Sequence, residues 1–251
     1  MKSLKLNLTA TAMAATVALG SSFAAPETAQ AEVAYNVGVH SKYLLRGIFE
    51  ENNSTAVQGG VDWSNDAGWY AGWWFSNLGY SYETGAGDGK TNTNGFENDF
   101  YGGYSGSFGK DFGYDVGFIQ YIYINVDDSD LLEATGTLTF KDFYVGAQYL
   151  LTDGWWGNSG DIYWKAGWST TVASDIGIAL DYSYYTYDSS DSSKLGTATT
   201  SSGGFRYFNV TASKPIGKTG AEAYVQYTFA GEDRAGQDYN DSMVVGVTYG
   251  F

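Results

Sequence analysis

Acidic side chains in this sequence recur at alternate positions of apolar–polar repeats, and that placement limits the chemistry open to them. Asp62, Glu97, Asp99, Asp115, Glu133, Asp161, Asp181 and Glu222 each share a face with Gly, Thr, Gln, Tyr or Lys, opposite a face of Val, Ile, Leu, Phe and Trp. Lys42, Lys165 and His40 fall on the same polar face. If the apolar face meets lipid, the polar face must line an interior, because an unpaired charge in hydrocarbon is costly. Eight acids against two firm bases, Lys42 and Lys165, predict a lumen of negative potential. Such a lumen prefers cations, or zwitterions with an exposed cationic end. Tyr101, Tyr121, Tyr123, Tyr144, Tyr163, Tyr185 and Tyr224 share this face. They fill the interior and hydrogen-bond the carboxylates, or they stack against a sugar, a nucleoside or a quaternary ammonium; filling is the simpler role. The expected solute path is therefore these eight acids with Lys42, Lys165 and Tyr121.

Catalytic and metal chemistry finds little support. His40 is the one histidine, and the adjacent Ser41 points to the other face of the same strand, so no base–nucleophile pair forms there. A carboxylate pair such as Glu97 with Asp115 leaves glycosidase-like work open, although acidic lumens are common without catalysis. With no cysteine, neither a disulfide nor a thiolate metal cluster can form. Asp127, Asp128 and Asp130 offer oxygen ligands for Ca²⁺ but lack the full loop spacing, and read as a solvated loop. No phosphate-binding loop or dinucleotide fingerprint occurs, and no metal or cofactor is expected. A net charge of −15 argues against nucleic acid as a partner.

These residues need elements that hold alternate positions inward. Lys2 and Lys5, the apolar stretch from Leu8 to Gly20, and Ala29-Gln30-Ala31 read as a cleaved export signal over residues 1–31, with cutting after Ser22-Phe23-Ala24 as second choice. The remaining 32–251 divides into twelve alternating segments. Short turns near 65–68, 108–112, 140–142, 170–175 and 215–219 alternate with longer connections at 45–54, 78–95, 125–131, 151–160, 187–203 and 230–240. Aromatics make up 18% of the chain and charged residues 16%, yet no run approaches the ~20 apolar residues of a membrane helix. A soluble sandwich also alternates. Strand length, Trp and Tyr near strand ends, and alternation running to Phe251 favour an antiparallel up-and-down transmembrane β-barrel of twelve strands. Both termini then lie in the periplasm and every long connection lies outside. Two irregularities stand out: Gln120 falls on the apolar face, and the phase over 205–213 is ambiguous, with Phe208, Val210 and Ala212 favoured outward.

Ser41-Lys42-Tyr43 followed by Arg46-Gly47, Gln58-Gly59-Gly60-Val61-Asp62, Gly68-Trp69-Tyr70-Ala71-Gly72-Trp73, Glu97 to Tyr104 and Tyr114-Asp115-Val116-Gly117 occur in an order that resembles the TorF-type porins of proteobacterial outer membranes. The resemblance covers most of 35–124. It departs at Glu51-Asn52-Asn53-Ser54 and at Ile124-Asn125, where that family carries prolines. It implies passive solute passage and points toward small respiratory substrates such as trimethylamine oxide, without established binding residues. The expected function is thus an outer-membrane porin for small solutes and not an enzyme. The alternatives are a plugged barrel with a structural or surface-recognition role, and an embedded hydrolase. Expected partners are outer-membrane lipid and lipopolysaccharide, the assembly machinery through the strand ending in Phe251, and the solutes themselves.

Overall fold

The computed structural model describes residues 31–49, 55–80, 95–190 and 194–251. The expected export signal lies outside these residues apart from Ala31. Strand β1 (Glu32–His40) is followed by two short strands, β2 (Leu44–Leu45) and β3 (Ile48–Phe49), which pair only with each other. A meander then runs through β4 (Ala56–Ser64), β5 (Trp69–Asn77), β6 (Phe96–Phe108), β7 (Phe112–Ile124), β8 (Leu131–Phe140) and β9 (Phe143–Leu150). It continues through β10 (Ile162–Val172), β11 (Ile176–Thr186), β12 (Gly203–Pro215), β13 (Ala221–Ala230) and β14 (Ser242–Gly250). β1 and β4 to β14 close into one antiparallel barrel of twelve strands.

Closure is made by β1, which pairs with β4 on one side and β14 on the other. The last residue takes part. Tyr35 N donates to Phe251 O at 2.9 Å, Phe251 N donates to Tyr35 O at 3.0 Å, and the two rings stack at 5.6 Å. A barrel without an edge leaves no ladder groups unpaired in hydrocarbon.

The alternation expected from the sequence fixes which side chains face out. On β7, Val116 and Phe118 are 53% and 57% exposed, while the interleaved Ile119 and Tyr121 are 4% and 0% exposed. In water an apolar skin of this kind would drive aggregation; in a bilayer it is the contact surface. Aromatic rings follow one another around the short-turn end. Trp69 meets Tyr104 at 5.1 Å, Phe108 meets Phe112 at 5.1 Å, and Phe112 meets Phe140 at 4.6 Å. That belt is where an interfacial girdle belongs.

Both irregularities have a physical account. Gln120 stays on the outer face, where its amide donates to the carbonyls of Tyr121 and Leu131 at 3.0 and 3.2 Å. Over 205–213 the register against β11 shifts between Ser183 and Tyr184, leaving Arg206 as the extra residue of a bulge. Arg206 and Tyr207 are therefore both buried, and below them Thr211 and Ser213 face in while Val210 faces out, as favoured. One expectation is corrected. The connection expected outside at 45–54 does not stay outside over its described part. Tyr43, Leu44, Leu45 and Arg46 are buried within the barrel.

Candidate functional site inside the barrel

The inward segment is a two-residue hairpin. Leu45 pairs with Ile48 across Arg46 and Gly47, whose φ angles are +48° and +83°. Positive φ at both central residues is what the tightest hairpin turn requires. Gly47 is needed twice over, because a Cβ there would also sit 3.2 Å from Tyr207. The turn puts Arg46 at the tip, pointing at the opposite wall.

Five strands and one loop receive it. Arg46 Nη1 and Nη2 donate to the two oxygens of Glu133 at 2.8 and 2.6 Å, a bidentate fork. Nη1 also donates to Tyr185 OH at 2.5 Å, and Nη2 to Tyr121 OH at 3.0 Å and Gln148 Oε1 at 2.9 Å. The guanidinium carbon lies 4.4 Å from the centre of the Tyr163 ring and 5.5 Å from that of Trp156. From behind, Arg206 Nε holds the Arg46 carbonyl at 2.9 Å. Tyr121 OH in turn donates to Glu133 at 3.0 Å, and Trp156 stands edge-on to Tyr121 at 5.3 Å.

This level of the barrel is filled. Around it, each of the twelve strands turns at least one buried side chain inward, from His40 on β1 to Val244 on β14. Tyr43, Leu45, Trp74, Ile119, Tyr121 and Leu131 form a continuous apolar cluster. A water-filled passage would leave its lining exposed, and here the lining is not. Two more acids sit in this filled half. Tyr123 OH donates to Glu97 at 3.0 Å. Asp99 lies in the ladder between Trp74 and Tyr121, fully buried, with the carboxyl of Glu97 as its neighbour.

Toward the short-turn end the interior is wetter. Asp62, Asp115 and Asp181 are half-buried, and each has a phenol partner. Tyr101 donates to Asp62, Tyr70 to Asp115 at 3.0 Å, and Tyr144 to Asp181 at 2.6 Å. Tyr101 lies flat on the wall over Gly72, where a Cβ would come within 2.4 Å of its ring. Lys165 is buried above these acids, within electrostatic reach of Asp115, Glu133 and Asp181. Glu222 is buried on β13, in the ladder beside Thr248.

Other expected residues are placed elsewhere. Lys42 lies beyond the end of β1, half-buried at the start of the inward segment. Asp161 ties loops together, accepting from the backbone of Asn158 and Asp188 at 2.9 and 2.8 Å and pairing with Arg234. His40 Nδ1 bonds Tyr224 OH at 2.8 Å, while Ser41 Oγ accepts from Val245 N at 3.0 Å, so the two are engaged apart. Glu97 and Asp115 cannot work as a carboxylate pair. Asp115 sits opposite Ser105, eight residues along β6 from Glu97, which is roughly 26 Å at the rise of a strand. Asp128 pairs with Lys194 at 3.1 Å and Asp130 accepts from Tyr123 N at 2.7 Å. Among the described residues no group of three acidic or histidine side chains is placed to hold a metal ion. Arg46, Arg206 and Arg234 were not expected as partners here; Arg46 and Arg234 stand in connections, where alternation gives no phase, and Arg206 is the extra residue of the β12 bulge.

A closed meander with apolar skin and polar, aromatic-packed interior defines an up-and-down antiparallel β-barrel. The KdgM porin superposes with a TM-score of 0.53 at 11% identity, over 88% of this chain and 99% of that one. The NanC porin gives 0.52 at 12% identity, over 87% and 99%. At such identities the likeness is one of fold. No curated protein matches the sequence. Residues 24–163 match the family described as "Bacterial protein of unknown function (Gcw_chp)", and the chain belongs to that family. The family's description carries no TorF designation, and the matched stretch spans the inward hairpin, Glu133 and Trp156.

Proposed function

We propose that this protein is an outer-membrane channel for small cations and zwitterions, held here in a shut conformation by the Arg46 hairpin. The observation that carries the reading is the division of the interior into two halves. Asp62, Asp115 and Asp181 line a half-exposed chamber whose local potential is negative. Above it, the level filled from the wall is completed by Arg46, which enters from a connection. The aromatic belt, the outward apolar face and the porin-like fold support the outer membrane as its location. The short-turn end would then face the periplasm, the loop end the lipopolysaccharide, and the strand ending in Phe251 the assembly machinery. Nothing in the arrangement of His40, Ser41, Glu97 and Asp115 supplies a hydrolytic site, which favours transport over catalysis.

The filled level also supports a second reading, a barrel that stays plugged and acts as a structural or surface-recognition protein. Planar-bilayer recording of the refolded protein and of Arg46→Ala separates the two. Conductance that rises in Arg46→Ala, with cation selectivity, supports the channel. No conductance in either protein at any voltage supports the plug.

A further inference from the structure

The receptors of Arg46 belong to the wall, not to the hairpin. Glu133, Tyr121, Gln148, Tyr163 and Tyr185 stand on five adjacent strands, β7 to β11, each fixed by its ladder. Withdrawing Arg46 would leave a bidentate carboxylate, two phenols and an amide carbonyl converging on one point, with aromatic rings around it. That set matches the planar fork of a guanidinium and its weakly hydrated faces.

The wall also carries more acidic groups than Arg46 pairs with. Asp99 is directly opposite Tyr121 in the ladder, and Glu97, Arg46 and Glu133 are all close enough to act on it electrostatically. Its carboxyl is completely buried, with that of Glu97 beside it. A buried carboxyl in that state is unfavourable unless a cation or a proton reaches it.

From this we infer that the Arg46 receptor set is a binding site for guanidinium-type and related organic cations, which the chain's own Arg46 occupies in the shut state. A solute of that class enters by displacing Arg46, so binding and opening are one competition. The inference rests on the channel reading for its role, but the site itself is testable without conductance.

The probe is methylguanidinium chloride at millimolar concentration, against NaCl of equal ionic strength and against tetramethylammonium, which cannot fork onto a carboxylate. Titration of refolded wild type, Arg46→Ala and Arg46→Ala/Glu133→Gln is followed by tryptophan fluorescence, with Trp156 beside the site, and by calorimetry. Loss of the tethered competitor should make Arg46→Ala bind about tenfold tighter or more than wild type. Adding Glu133→Gln should abolish that gain, and tetramethylammonium should bind more weakly. Equal affinity in wild type and Arg46→Ala, or binding indifferent to Glu133→Gln, overturns the inference. If Arg46→Ala refolds poorly, refolding yield becomes the readout. Yield restored by methylguanidinium but not by NaCl supports the site, and yield unchanged by either overturns it. Bilayer recording of the same proteins keeps the two readings apart. Binding without conductance removes the channel and leaves the site, whereas conductance without binding does the reverse.

Discussion

Arg46 and Glu133 show how unevenly a buried pair contributes. Their side chains are 7% and 2% exposed, so removing one leaves the other charged and dry. Arg46→Ala should therefore cost on the order of 3–5 kcal/mol in folding stability, whereas Arg46→Met with Glu133→Leu should recover most of it. Urea unfolding in lipid vesicles measures both; equal losses in the single and double variants would refute the uncompensated-charge account. The chamber acids are a separate matter. Asp115→Asn and Asp181→Asn together remove two half-buried negative charges near Lys165, so the reversal potential in a salt gradient should shift toward anions. An unchanged potential would mean that ions do not pass these groups. The two sets differed in how readable they were. Asp62, Asp115, Glu133 and Asp181 announce themselves through period-two alternation in strands. Arg46 sits where that period stops, and its effect depends on partners 75 to 139 residues away.

Among the elements, the hairpin of β2 and β3 sets the state of the barrel under the channel reading, and its signal in the sequence was faint. Two apolar pairs flank Arg46-Gly47, but the usual first residue of such a turn is Asn or Asp, and an Arg there hides the pattern. The motif was visible only as Ser41-Lys42-Tyr43 and Arg46-Gly47 in the family resemblance, which names residues without giving their direction. Gly47→Ala tests the element. It places a side chain at φ +83° and 3.2 Å from Tyr207, which should cost about 1 kcal/mol or more and lift the tip from its receptors. The variant should conduct like Arg46→Ala while retaining every charged group. Wild-type conductance in Gly47→Ala would show that the turn geometry does not hold the gate. The β12 bulge follows the same logic. One extra residue reverses the phase, so alternation could be read below Phe208 but not above it, and Arg206 went unplaced.

For the whole molecule the question is which solvent the outer face meets, and here the sequence was most informative because the same alternation recurs in strand after strand, with β12 broken by its bulge. Phe118 and Phe140 are both outward, 57% and 42% exposed, but they lie at different heights. Phe118 is central in β7, opposite Gly102 and Ala134, while Phe140 ends β8 in the aromatic belt against Phe112. A bilayer penalises charge by depth. Phe118→Arg should cost about 2–4 kcal/mol and Phe140→Arg about 0–1 kcal/mol in vesicle unfolding, leaving aside the packing of the Phe140 ring on Phe112. A water-facing barrel makes the opposite prediction: replacing either exposed phenylalanine by arginine would be near neutral and would improve solubility. Equal small effects at both positions would therefore remove the membrane from the account and, with it, the reason for the polar face to turn inward. A steep difference between them would show that the height of a residue in the bilayer sets the cost of charge on the outer face. By the same balance, Arg46 and Glu133 keep their charges inside the wall, where they face each other.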